Sequence, residues 1–147
     1  MTPEQMKQRT KRFAFRVMRL AESLPRGRTG DTVGKQLLRS GMSVGANYRT
    51  ACRARLTADF VAKMGLVEEE ADEAMFWMEL LVESELTKKE MVADLMQECS
   101  QTIAIVVSSI NTVRGSKRKE QNKESTIRNP QSATGQSAIR SPQSASG

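Results

Sequence analysis

Apolar residues recur three, four or seven positions apart through most of the chain up to residue 113, a spacing that keeps them on one face of an α-helix. The first such stretch runs from about residue 3 to 24 and the second from about 31 to 54; the third begins near Thr57 and the fourth near Thr87. The apolar positions are Met6, Phe13, Val17, Leu20 and Leu24 in the first, Leu37, Gly41, Val44, Tyr48 and Cys52 in the second, Phe60, Met64, Val67, Ala71, Ala74, Met78 and Leu81 in the third, and Val92, Leu95, Met96, Cys99, Ile103, Val106, Ile110 and Val113 in the fourth. No stretch shows the alternation of a half-buried strand, so the pattern predicts an all-α chain.

Residue types typical of helix ends bracket these stretches. Residues 2–5 (TPEQ) form a capping box with proline in the first helical position. Residues 25–31 (PRGRTGD) predict a loop, Thr57 suits an N-cap, residues 87–90 (TKKE) form a second capping box, and Gly115 predicts a stop. Four amphipathic helices with short connections predict an up-down-up-down antiparallel four-helix bundle.

The bundle should occupy residues 1–114, because the remainder, 115–147, is polar and of low complexity. A seven-residue segment at 127–133 (IRNPQSA) returns almost unchanged at 139–145 (IRSPQSA). Two polar copies are too few to stack into a solenoid. We predict a disordered basic tail, which could serve as a tether or be an inert extension.

Composition narrows the chemistry. Histidine is absent, which removes the commonest general base and the commonest metal ligand. Cys52 and Cys99 lack metal-site spacing and are expected to be reduced, buried small hydrophobes. We find no phosphate loop and no nucleophile–base pair, so we predict no enzyme, no metal and no cofactor. Without a long apolar run or a signal-like apolar start, we expect a cytoplasmic protein and no membrane partner.

Charge is divided along the chain. Residues 1–55 hold thirteen Lys and Arg against three acids, a balance of +10, whereas residues 56–98 hold three Lys against twelve acids, a balance of −9. The acidic run at 68–73 could suggest a metal site, but Glu69, Asp72 and Glu73 point away from the apolar stripe and histidine is absent. Pairing with the basic helices is the better interpretation.

The second predicted helix separates its cations from its small residues. At 100° per residue, Gly41 and Gly45 lie on or beside the apolar face, where they would let a neighbouring backbone approach. Four cations lie on a narrow stripe of the opposite face, about 27 Å long: Lys35, Arg39, Arg49 and Arg53.

The first predicted helix carries a second basic stripe, spaced 3, 4 and 3: Arg9, Arg12, Arg16 and Arg19. On adjacent antiparallel helices the two stripes would make one positive surface suited to phosphates, because a guanidinium group can bond two oxygens at once. The alternative is a solvated face, or one that forms salt bridges to the acidic helix. The stripes contain no interleaved aromatic residue, so base stacking is not expected.

The third predicted helix has a second apolar patch on its back, formed by Leu66, Phe76, Trp77 and Leu80, with Glu70 and Glu73 in the same sector as the tryptophan. A helix that is apolar on two faces usually buries both. Leu66, Trp77, Leu80, Glu70 and Glu73 are therefore the predicted oligomer interface, with Trp77 as its anchor. Alternatively, these side chains widen the core within one subunit.

Two segments carry a resemblance: QLLRSGMSVGANYRTACRAR at 36–55 and DFVAKMGLVEEEADEAMFWMELL at 59–81. Over about residues 10–113 the chain resembles the four-helix-bundle proteins of the 23S rRNA intervening-sequence family, which look related to the accessory variability protein of diversity-generating retroelements. The resemblance implies a ring, typically a pentamer, without established enzymatic activity. It also implies nucleic acid, and a reverse transcriptase in the retroelement setting, as partners.

Two hypotheses follow. The first is a non-enzymatic, ring-forming protein that binds nucleic acid through the basic faces of its first two helices, above all through Arg49 and Arg53. The second is a protein–protein assembly module with no nucleic-acid role, in which the basic face serves neighbouring subunits.

Overall fold

The computed structural model describes residues 1–128, and within them the secondary structure consists of four helices and no strand: α1 (Pro3–Ser23), α2 (Arg28–Cys52), α3 (Thr57–Glu83) and α4 (Lys89–Arg128). The predicted all-α class and helix number are confirmed. The chain divides into two units at Ile110, and the bundle described below lies within the first, Met1–Ile110.

The contacts between α1 and α2 define their relative direction. Gly34 of α2 faces Leu24, the residue that caps the end of α1, whereas Gly45 faces Thr10 near the start of α1, so α1 and α2 run antiparallel. Short connections of four residues join α1 to α2 and α2 to α3, and five residues join α3 to α4.

The remaining pairs close the bundle. Arg39 of α2 reaches Glu73 of α3, and residues near the end of α2 line a cleft with residues near the start of α3, so α2 and α3 also run antiparallel. Arg9 at the start of α1 bonds to Glu98 of α4. The Sγ of Cys99 on α4 donates to the Ala71 carbonyl of α3 at 3.0 Å.

The core follows the predicted apolar stripes closely. The buried apolar side chains are Met6, Phe13, Val17, Leu20, Leu37, Val44, Tyr48, Ala51, Met64, Val67, Ala71, Ala74, Met78, Leu81, Val92, Leu95, Cys99, Val106 and Ile110. Leu24, Cys52, Phe60, Met96 and Ile103 lie partly buried at its edge.

Three hydroxyls are buried among these apolar side chains. The hydroxyl of Thr10 donates to the carbonyls of Met6 and Lys7, one turn earlier in α1. The hydroxyl of Ser40 donates to the carbonyls of Gln36 and Leu37, one turn earlier in α2. The Oγ1 of Thr102 has no hydrogen-bond partner within residues 1–128. Its burial costs desolvation free energy that no hydrogen bond offsets.

The glycines of α2 allow close helix packing, as predicted. A Cβ on Gly41 would lie 2.7 Å from Val17 Cγ1, and one on Gly45 would lie 3.3 Å from Thr10 Oγ1. Larger residues at either position would push α1 and α2 apart.

Helix ends agree with the predictions in part. Thr2 and Gln5 form the predicted capping box, with Gln5 N to Thr2 Oγ1 at 3.1 Å and Thr2 N to Gln5 Oε1 at 2.9 Å. The prediction of Thr57 as an N-cap is wrong, because Thr57 is already helical and Leu56 is the last extended residue. Thr87 is not the residue directly before α4 either, because the helix begins two residues later, at Lys89.

The predicted stop at Gly115 is wrong, since α4 continues through it to Arg128. A stop would need glycine in a left-handed conformation, and Gly115 has no positive φ. The residues around it are mostly Lys, Arg, Glu and Gln, whose helix propensities offset the roughly 1 kcal/mol cost of one glycine. Residues 115–128 of the predicted disordered tail are thus helical and exposed; positions 129–147 lie outside the described residues.

Candidate nucleic-acid interface

A groove between α1 and α4 is lined by the arginines of α1. It comprises a cleft of about 360 Å³ lined by Arg9, Arg12, Phe13, Arg16 and Glu98. A second cleft, of about 320 Å³, is lined by Arg16, Arg19, Leu20, Ser23, Met91 and Leu95. Arg16 lines both clefts. We call these two clefts together the α1–α4 groove.

Arg9 is committed to α4. Its Nε and Nη2 donate to the two carboxylate oxygens of Glu98 at 2.5 and 3.0 Å, and Nη2 also donates to Gln101 Oε1 at 2.6 Å. The hydrogen bond to Glu98 raises the pKa of the Arg9 guanidinium above its ordinary value. Arg9 therefore fixes one end of the groove and has little capacity left for a ligand.

The other three arginines of α1 are available. Arg12 and Arg19 are exposed and Arg16 is half-buried. Within residues 1–128, no carboxylate forms a salt bridge with any of them. Their spacing of four and three residues puts neighbouring guanidinium groups on the same side of the helix. Such a row can bind several anionic groups of one ligand.

Sequence reasoning missed one exposed side chain beside this row of arginines. Phe15 is 53% exposed, and it lies three residues after Arg12 and four before Arg19. Phe15 is not interleaved within the basic stripe of α1, but it borders that stripe on the side away from Arg16. The signal was present in the spacing, because Arg12, Phe15, Arg16 and Arg19 follow the helical pattern of 3, 4 and 7.

The basic residues of α2 do not form one surface with those of α1. Lys35, Arg49 and Arg53 are exposed, and none forms a salt bridge within the described part of the chain. Lys35 lies in a cleft beside the end of α1, whereas Arg53 lies at the opposite end of α2. The α1 arginines face α4 instead, so the predicted continuous α1–α2 surface is divided.

Arg39 faces α3 and pairs with two acids. Its Nη1 lies 3.3 Å from Glu70 Oε2, and its Nη2 donates to Glu73 Oε1. The indole N–H of Trp77 donates to the same oxygen of Glu73 at 3.3 Å. The Arg39 hydrogen bond lowers the pKa of Glu73. The sequence assigned Arg39 to the basic surface, and Glu70, Glu73 and Trp77 to the oligomer interface. In the structure these four residues form one cluster within a subunit.

The second apolar patch of α3 is present. Leu66, Phe76 and Leu80 are 39%, 50% and 36% exposed. Trp77 is half-buried, packs against the core of its own subunit, and contacts the Phe76 ring edge-on with centroids 5.1 Å apart. The α3 patch, defined as Leu66, Phe76 and Leu80, is therefore the part left open to solvent, while Trp77 supports it from beneath.

A further cleft, of about 600 Å³, lies at the turn between α2 and α3. Its charged lining residues are Arg53, Arg55, Lys63 and Asp59, and Leu56 is its most exposed apolar residue. Three cations against one acid make this cleft basic, at the end of the α2 stripe.

Other site types find no support in the described residues. In residues 1–128 no group of three or more Cys, Asp or Glu side chains is arranged to hold a metal ion. Among the four helices described, none is long and apolar enough to cross a bilayer.

Comparison with known proteins gives three results. A family model described as 23S rRNA-intervening sequence protein matches residues 4–108. A crystal structure of a protein of unknown function from the S23 ribosomal protein family of Bacteroides thetaiotaomicron is 32% identical, with a TM-score of 0.68, and the match covers 71% of this chain and 97% of that one. A search of curated proteins found no match.

Proposed function

The chain belongs to the family of 23S rRNA-intervening sequence proteins, and from that premise we propose that it binds the sugar–phosphate backbone of a nucleic acid without catalysing a reaction. The observation that carries the proposal is the row formed by Arg12, Arg16 and Arg19 along the α1–α4 groove, which has no acidic partner within residues 1–128. The exposed cations of α2 would provide a second, separate contact with the same backbone: Lys35, Arg49 and Arg53.

The arrangement suits a polyanion. Successive arginines of the row are about 4.5 to 6 Å apart along the helix axis, from a rise of 1.5 Å per residue. Each guanidinium group can bond two phosphate oxygens. Arg39 would contribute less, because Glu70 and Glu73 already neutralise it.

Fluorescence anisotropy of a labelled single-stranded RNA against salt tests this function. The logarithm of the association constant should fall linearly with the logarithm of salt concentration. Replacing Arg12, Arg16 and Arg19 with glutamine should reduce the magnitude of that slope by about 2, from about 0.7 per phosphate contact. Arg39→Gln is the matched control and should change the slope much less.

The α2 residues give a second test. Arg49→Ala together with Arg53→Ala should weaken RNA binding at every salt concentration and leave the mass of the particle unchanged. If binding persists while the oligomer dissociates, these two arginines serve assembly. No RNA binding by the wild type at low salt would overturn the proposed function.

One observation favours a second role, in assembly. The α3 patch is apolar and exposed, and the basic and acidic parts of the chain carry opposite charge. We propose that the α3 patch packs against a second copy of this chain. Contacts between different surfaces of identical subunits close into rings when the rotation permits. The expected pentamer comes from the family resemblance alone. An assembly module without a nucleic-acid role remains the alternative function.

A further inference from the structure

We infer that Phe15, which borders the arginine row of α1 beside Arg12 and Arg19, stacks on an unpaired base, so that the nucleic acid bound by this row is single-stranded. This inference rests on the proposed function and specifies its ligand. The Phe15 ring is 53% exposed between the exposed cations Lys11 and Arg19, and no described aromatic ring contacts it. It contributes little to the core, because it lies on the opposite side of α1 from Val17 and Phe13.

The charges around Phe15 favour a nucleotide. At 100° per residue, Arg19 lies 40° to one side of Phe15 and Lys11 lies 40° to the other. Both cations are exposed, and neither forms a salt bridge within residues 1–128. A phosphate on either side of the ring would place the attached base over its face. Base–aromatic stacking of this kind is independent of sequence and needs an unpaired base.

A membrane surface is the other ligand that cations around an aromatic ring could attract. Helices that lie in a membrane interface present a broad apolar face. Around Phe15 only Met18 continues the exposed apolar surface, 60° away. The other exposed side chains within 60° on the neighbouring turns are polar or charged: Gln8, Lys11, Arg12, Arg19 and Glu22. The apolar surface formed by Phe15 and Met18 is too narrow to bind a membrane, whereas a single base is large enough to cover it.

The test compares three labelled ligands of equal length: a single-stranded RNA, the same strand without bases, and the duplex. The wild type should bind the single strand about 5- to 140-fold more tightly than the abasic strand, and also more tightly than the duplex. Phe15→Ala should remove this preference and leave the affinity for the abasic strand unchanged. Phe15→Trp should retain it.

Phe76→Ala is the matched control, because Phe76 is 50% exposed but lies on the acidic helix α3. It should leave the preference for the single strand intact. Circular dichroism should show the same helix content in every variant.

The outcomes separate the two proposals. Equal affinity of the wild type for base-bearing and abasic strands would overturn the stacking inference and leave backbone binding standing. No binding to any strand would overturn both. If Phe15→Ala abolishes sedimentation with phosphatidylserine vesicles but leaves RNA binding unaltered, Phe15 serves a membrane surface and the inference is wrong.

Discussion

Gly41 lies against Val17 so closely that a Cβ on residue 41 would fall 2.7 Å from one methyl group of the valine and 2.8 Å from the other. Real Cβ contacts are not that short, so α1 and α2 pack at a distance that only glycine allows. Valine has one strongly preferred χ1 rotamer in a helix and cannot turn away. The separation of these two helices therefore depends on this pair of residues.

Gly41→Ala should destabilise the protein. Overpacking of this kind costs about 1–3 kcal/mol, and the gain of up to about 1 kcal/mol in helix propensity offsets only part of it. Urea unfolding followed by circular dichroism measures the net change. Adding Val17→Ala should relieve the clash, so the double variant should be more stable than the sum of the two single effects predicts.

Gly65→Ala supplies the control for glycine replacement in a helix. A Cβ on Gly65 meets nothing within 4 Å, so the substitution should stabilise α3 by up to about 1 kcal/mol. If both alanine variants change stability in the same direction, close packing at Gly41 is not what requires glycine there.

Thr102→Val should increase the free energy of unfolding by about 1 kcal/mol. The hydroxyl of Thr102 is buried without a partner in the described residues, and valine has nearly the same shape without the desolvation cost. Thr10→Val is the matched control, since Thr10 donates to two carbonyls. It should destabilise by about 0.5–1.5 kcal/mol. Destabilisation by Thr102→Val would mean that its hydroxyl has a partner in solution.

Stability should fall at alkaline pH because of Cys99. Burial raises the pKa of its thiol from 9.0 to about 12. Between these values the unfolded chain loses the thiol proton while the folded chain keeps it, so the contribution is full below pH 9 and is lost as pH rises toward 12. The expected slope is about 1.4 kcal/mol per pH unit.

Urea unfolding at several values of pH above 9 tests this, with Cys99→Ala as comparison. The variant should show a shallower decline. Some decline should remain, because burial also raises the pKa of Tyr48 above its ordinary value. Equal slopes for the two proteins would contradict the assignment.

Assembly should depend on the α3 patch. Phe76→Ser with Leu80→Ser should reduce the mass of the particle with less effect on subunit stability than a core substitution, because Phe76 is 50% and Leu80 36% exposed in the subunit. Trp77→Ala should also reduce the mass, but it should destabilise the subunit as well, since Trp77 packs against its core. Size exclusion with light scattering decides this. A wild-type mass near 16.3 kDa would exclude the oligomer, and an unchanged mass in the variants would place the interface elsewhere.

The apolar period of the chain was sufficient to predict the helices and most of the core. Positions such as Val44, Ala71 and Val106 are completely buried, because the apolar stripe of an amphipathic helix faces the core. The capping box at Thr2 was equally predictable, since its hydrogen bonds join residues three apart. Gly115 was misjudged because a glycine permits a helix to end but does not force it to.

Only the tertiary structure decided which partners the charged side chains have. A sequence gives the angle of Arg9 or Arg39 from the apolar stripe of its own helix, but it does not say which helix lies on that side. The packing order sends Arg9 to Glu98 on α4 and Arg39 to Glu73 on α3, and it leaves the row from Arg12 to Arg19 without an acid in the described residues. Burial depends on a period within one helix, whereas pairing depends on the arrangement of helices around one another. The spacing of residues along the chain therefore predicts burial, but it does not predict which charged side chains pair.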